Sequence, residues 1–184
     1  MSLPAASALE EAQASLRDGA FERAIELFTE GLANDPDNAD AYRGRALAHV
    51  QLKHWSSAIA DFTNARQLHP EDQESWVGLG MSLAMDSRVY EAIDVFHTLL
   101  AAHPDYARGH IQLGLLYFQL CATGKGRREM ADALACRPSL AERRVIEQVL
   151  KEQDALDKKR YFRPDFEALR ARQHHPRILK ARGA

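Results

Sequence analysis

The sequence predicts an all-α fold, a solenoid of stacked helical hairpins. Three registers sharing a 34-residue period predict it. Proline recurs at Pro36, Pro70, Pro104 and Pro138; twelve residues before each of the first three stands Ala24, Ala58 or Ala92; eight before stands Phe28, Phe62 or Phe96. Periods of 20 to 50 residues mark arrays in which each unit buries its apolar face only against its neighbours.

The residue types at those places have physical reasons. Proline cannot continue a helix and pushes its predecessor toward extended backbone, so each one marks the end of a hairpin. Two antiparallel helices approach closely only where small side chains meet, which makes Ala46 with Ala58, and Gly80 with Ala92, the expected floor of a hairpin. Each Phe lies one turn beyond its Ala on the same helix face and is expected to fill the crevice between successive hairpins. Asp37-Asn38, Glu71-Asp72 and Asp105 offer turn and cap chemistry to the helix that follows. Around Trp76 the pattern is fullest. There Trp76, Leu79, Gly80, Ala92, Phe96 and Pro104 resemble the signature of the tetratricopeptide repeat family, with Leu83 where Tyr is usual.

Taken in order, the first repeat covers about 5–38 and is weak in its leading helix, where Ala8, Glu11, Ala12 and Ser15 replace the usual residues, as suits a terminal unit. The second covers 39–72 and the third 73–106. The fourth, 107–140, has a good first helix in His110, Leu113, Gly114 and Tyr117, whereas Gly126 and Met130 replace Ala and Phe in the second. Thr123-Gly124-Lys125-Gly126 is expected to form its turn, because glycine inside a helix costs about 1 kcal/mol relative to Ala. The repeats thus fill a domain of residues 1–138. Beyond Pro138, Leu140, Val145, Ile146, Val149, Leu150 and Leu156 keep a helical period, and 139–160 reads as a capping helix that covers the open end of the stack. Residues 161–184 read as a basic tail with at most a short helix near Phe166 to Arg172.

Composition narrows the function classes. The formal charge of −2 hides an asymmetry: residues 1–138 carry 12 Lys and Arg against 19 Asp and Glu, and 139–184 carry 12 against 7. No apolar run long enough to span a membrane and no secretory leader is visible, so a cytoplasmic protein is expected. Cys121 and Cys136 are too few for a disulfide framework and lack zinc-site spacing. No phosphate-binding glycine loop or nucleophile elbow occurs, so no enzyme activity, cofactor or metal is expected. Among the eight histidines, His69 and His103 share one repeat position and His110 takes the aromatic slot. His49 and His54 are five apart, a step that should turn them to different helix faces.

The family resemblance implies a binding face, the concave groove lined by the first helix of each hairpin. Carried onto this sequence, it offers Leu9, Gln13, Leu16 and Arg17, then Arg43, Leu47, Val50 and Gln51, then Val77, Met81, Ala84 and Met85, and finally Arg108, Ile111, Leu115, Phe118 and Gln119. The Lys, Asn and Arg clamp of the family's chaperone-tail receptors is replaced by Leu9, Gln13, Gly44, Glu74 and Gly78, so that role is not implied. The stripe is mostly apolar, which leaves two readings open: interhelical core, or a groove for an apolar or amphipathic segment of a partner protein. Soluble monomers seldom expose contiguous apolar patches beyond a few hundred Å², and four such side chains buried are worth roughly 6 to 12 kcal/mol gross. A protein or peptide partner is therefore expected, in a scaffold or adaptor role. The alternative is self-association, a homo-oligomer in which the basic tail, nine Lys and Arg between Lys158 and Arg182 interleaved with Tyr161, Phe162 and Phe166, docks on its own or a neighbouring acidic body. The acidic body opposes nucleic acid.

Overall fold

The computed structural model describes residues 5–160, and the basic tail of 161–184 lies outside them. The described residues are all α: α1 (Ala5–Arg17) and α2 (Phe21–Asn34), α3 (Ala39–Gln51) and α4 (Trp55–Leu68), α5 (Gln73–Met85) and α6 (Val89–Ala102), α7 (Ala107–Gln119) and α8 (Thr123–Ala135), then α9 (Leu140–Arg160). Two compact units result, Met1–Ile146 with the four hairpins and Glu147–Ala184 with the rest of α9. Among the described residues no helix is long and apolar enough to cross a membrane.

The four hairpins close with one turn repeated. Gly19, Lys53, Ser87 and Cys121, again 34 apart, all take positive φ, between 58° and 80°. Each begins a double backbone bond: Lys53 N–H donates to Val50 and His54 N–H to His49, as Ser87 donates to Ala84 and Arg88 to Leu83. This is a Schellman termination, and its left-handed residue carries a Cβ penalty that only glycine escapes. Cys121 places the fourth turn at Leu120–Ala122 rather than at Thr123–Gly126, which instead opens α8. Gly126 is tolerated inside that helix because α7 and α8 cross there: an added Cβ would lie 2.8 Å from the Phe118 ring and 3.0 Å from the Gly114 carbonyl.

The small and aromatic positions form the core. Ala24, Ala58 and Ala92 are fully buried, and Phe28, Phe62 and Phe96 nearly so. Phe28 of α2 lies on Gly44 of α3, and Phe62 of α4 on Gly78 of α5, each ring filling the space a Cβ would occupy. Phe96 differs. Gln112 stands where the next such glycine would be, and the Phe96 ring leans on Gly80 of its own hairpin, 2.6 Å from where a Cβ would stand.

Caps are less uniform than the sequence suggested. Asn38 Oδ1 accepts from Ala41 N–H at 2.9 Å at the start of α3. Asp72 makes no side-chain cap on α5; its carboxylate accepts from Arg43 Nη1 at 3.2 Å and from Ser75 Oγ at 2.6 Å. Ser139 and Glu142 open α9 with a reciprocal capping box, in which Ser139 N–H donates to the Glu142 carboxylate at 2.8 Å. The Ser139 hydroxyl, donating to the same carboxylate at 2.7 Å, and then the Ser139 N–H hold the Glu142 carboxyl below its usual range. Of the apolar stripe on α9, Ile146 is fully buried while Leu140 and Val145 are exposed.

One apolar pair is replaced by charge. Where the third hairpin has Leu79 and Val95, the second has Arg45 and Asp61, joined by two bonds of 2.8 and 2.7 Å, with Asp61 buried. Arg45 also reaches Thr29 Oγ1 of α2 at 3.0 Å. Hydrogen bonding to Asp61 raises Arg45 above its usual range. His49, 3.9 Å from Asp61, is held below the ordinary imidazole range, by burial first and also by the Arg45 charge and His54.

Two stability measurements test this account. Ser87→Val forces a β-branched side chain into the left-handed turn, and urea denaturation should show a loss of about 1 to 2 kcal/mol, with Ser87→Gly neutral or stabilising. Asp61→Leu alone strands Arg45 and should cost about 2 to 4 kcal/mol, whereas Arg45→Leu with Asp61→Val, the third hairpin's pair, should restore stability to wild type or above.

Candidate functional site

First helices supply most of the wall of one cavity. Arg43, Leu47 and Val50 of α3, Glu74, Val77, Gly78, Met81, Ser82 and Met85 of α5, and Arg108 of α7 surround about 550 Å³, with Trp55 and Phe62 of α4 completing the wall. The helical period explains the order: Arg43 and Leu47 lie four apart and Leu47 and Val50 three apart, so they share one face of α3. Val77, Met81 and Met85 repeat that spacing on α5. Gly78 belongs here for a steric reason, since the Phe62 ring occupies its side-chain space and lies open to the cavity beside it.

The lining is graded along the helices. Toward their N-terminal ends stand the charges: Arg43 bridges Asp40 at 2.7 Å and Asp72 at 3.2 Å, and Arg108 holds the Glu74 carboxylate at 2.6 Å. Tyr106 O–H also donates to Glu74 at 3.0 Å. Its phenol is pushed up to about 12, by burial first and then by that carboxylate. Toward the C-terminal ends the wall is apolar. There Leu47 and Met81 are 42% and 43% exposed and Met85 61%, while Val77 is buried beneath them.

Of the residues expected in the groove, Arg43, Leu47, Val50, Val77, Met81, Met85 and Arg108 therefore line one cavity. Ile111 is buried and, with Arg108, borders a second, smaller depression toward Ser139, Ala141 and Val145 at the start of α9. Leu115 is half-buried and lines neither. Phe118 turns into its own hairpin against Gly126. Gln51 and Gln119 are exposed at helix ends, away from both cavities. Sequence reasoning passed over Trp55, although its register partners Phe21 and Val89 are also apolar and open the second helix of their hairpins. The His49 and His54 rings, expected on different faces, meet with centroids 5.7 Å apart, because α3 ends at Gln51 and the turn brings His54 back.

The cavity holds no convergent nucleophile, base and oxyanion donor. What it offers is a floor of apolar and flexible side chains with an ion-paired rim, a surface suited to an extended or helical segment.

Comparison with known proteins agrees with this architecture. Two tetratricopeptide repeat family models match residues 46–107 and 15–60. Tetratricopeptide repeat protein 28 of Homo sapiens is 33% identical over 87 residues, 47% of this chain and 4% of that protein. The Protein SGT1 homolog of Oryza sativa subsp. japonica is 37% identical over 81 residues, 44% of this chain and 22% of that protein. The chain thus spans under a quarter of the length of either. Among solved structures, MamA superposes with a TM-score of 0.68 at 19% identity, covering 72% of this chain and 78% of MamA. The first repeat domain of Spaghetti (RPAP3), solved with an HSP90 peptide, gives 0.59 at 22% identity, covering 64% of this chain and 93% of that domain. These two share the fold. With a 34-residue register, four hairpins ending in identical turns, and matches spanning residues 15 to 107, the chain belongs to the tetratricopeptide repeat family.

Proposed function

We propose that this chain is a non-enzymatic, cytoplasmic scaffold that receives an amphipathic segment of a partner protein in the cavity between α3 and α5. The supporting observation is the partial exposure of Leu47, Met81 and Met85 around a 550 Å³ space. Free Cys121 and Cys136 fit a reducing compartment. A tetratricopeptide relative that carries a peptide in its solved structure supports a peptide as the occupant.

Magnitudes favour an amphipathic ligand over a purely apolar one. Covering the exposed halves of Leu47, Met81 and Met85 yields about 2 to 4 kcal/mol at half the value of full side-chain burial. Association costs about 4 to 15 kcal/mol. The floor alone cannot hold a partner, so the segment must also engage the polar rim at Arg43 and Arg108. α9 completes the proposal as a cap: its Ile146 is buried, and its Val145 shares a depression with Ile111 and Gln112 of α7.

Selection of a peptide-display library against the intact chain tests the reading. Enriched sequences should carry apolar residues three and four apart, and Leu47→Glu with Met81→Glu should weaken them about tenfold or more, one lost apolar contact each. Circular dichroism and melting of that variant should match wild type, because both side chains are half-exposed. Equal binding to the variant would place the ligand elsewhere, and a variant that fails to fold would make both residues core.

A further inference from the structure

At the fourth hairpin the aromatic slot is filled by a histidine, and this changes the chemistry available. Trp76 Nε1–H donates to the Pro70 carbonyl at 2.8 Å. Thirty-four residues on, His110 Nε2 meets the Pro104 carbonyl at 3.1 Å. A carbonyl only accepts, so Nε2 carries the hydrogen and the ring stands in for the indole. Tryptophan has no second ring heteroatom; histidine does. His110 Nδ1 points at Glu129 Oε2, 2.8 Å away on α8. Two acceptors at that distance need a positive centre between them, a proton or a metal ion. Asp132, one turn further along α8, brings a third donor atom, and the three ligand atoms lie within 4.8 Å of one another.

We propose that His110, Glu129 and Asp132 form a binding site for a divalent first-row transition ion. The donor set of one imidazole and two carboxylates suits zinc and its neighbours better than calcium or magnesium, which favour oxygen alone. Pro104 supplies the outer contact that metal-bound imidazoles usually make, a backbone carbonyl accepting from the other ring nitrogen. His110 and Glu129 are largely buried, at 13% and 14% side-chain exposure, while Asp132 is exposed and opens the site to solvent. Three protein ligands leave coordination places for water or an outside donor. A bound ion would tie α7 to α8 where the hairpin has Met130 and Gly126 in place of Phe and Ala.

Calorimetric titration of zinc chloride into the full, chelator-stripped chain tests the site. The expected result is a single-site uptake with a dissociation constant well below millimolar. His110→Trp, which keeps the N–H to Pro104 as the third hairpin does, and Asp132→Asn on the surface should each weaken uptake by more than about tenfold. A His174→Ala, His175→Ala chain, which removes the adjacent histidine pair of the basic tail as another possible metal ligand, should bind as wild type. Uptake unchanged in His110→Trp and Asp132→Asn, lost in the His174, His175 variant, or no tighter than about millimolar in wild type would leave His110 and Glu129 as an ion pair and overturn the proposal.

Discussion

Everything in this fold depends on a ring pressed where a side chain cannot be. Phe28 covers Gly44 and Phe62 covers Gly78, so the glycines let the second helix of one hairpin touch the first helix of the next. Dense interiors admit no spare methylene at such a place without displacement. The thirty-four-residue period is the linear record of that contact, because the same wedge, repeated at an equal interval, joins the first hairpin to the second and the second to the third. It also sets the candidate site, since the face of α5 that carries Val77 and Met81 is held open beside the Phe62 ring.

Departures from the register show what each hairpin does in its own way. Gln112 removes the landing place for Phe96, and the ring turns back onto Gly80. Arg45 and Asp61 occupy a pair of apolar slots and satisfy one another with two bonds. Such a buried pair contributes little net stability relative to apolar residues, but through Thr29 it also joins the second hairpin to the first. In the fourth hairpin, Gly126 and Met130 narrow the helix crossing, Phe118 fills the gap they leave, and His110 brings a second nitrogen into a position that elsewhere has none.

The candidate site was legible in part. Heptad-like spacing put Leu47 and Val50, and Val77, Met81 and Met85, on common faces, and the cavity gathers them. Phe118 and Leu115 occupy the same register as Val50 and Met81, yet Phe118 turns inward because Gly126 leaves room for its ring. Trp55 enters the wall because the preceding turn aims the first residue of α4 toward α5, a direction that side-chain type does not encode. His49 and His54 were misplaced by treating the segment as one continuous helix, when Lys53 at φ 59° ends it.

By itself the sequence determined the repeat length, the helical class and the acidic and basic halves, because these follow from periodicity, from proline and from charge, all of which are local or additive. Only the tertiary structure decided which side of a helix faces a neighbour, which carboxylate meets which cation, and where small residues leave room for a ring to rotate. Those outcomes depend on gaps between helices a few ångströms wide, and a gap is a property of two surfaces, not of either chain segment alone.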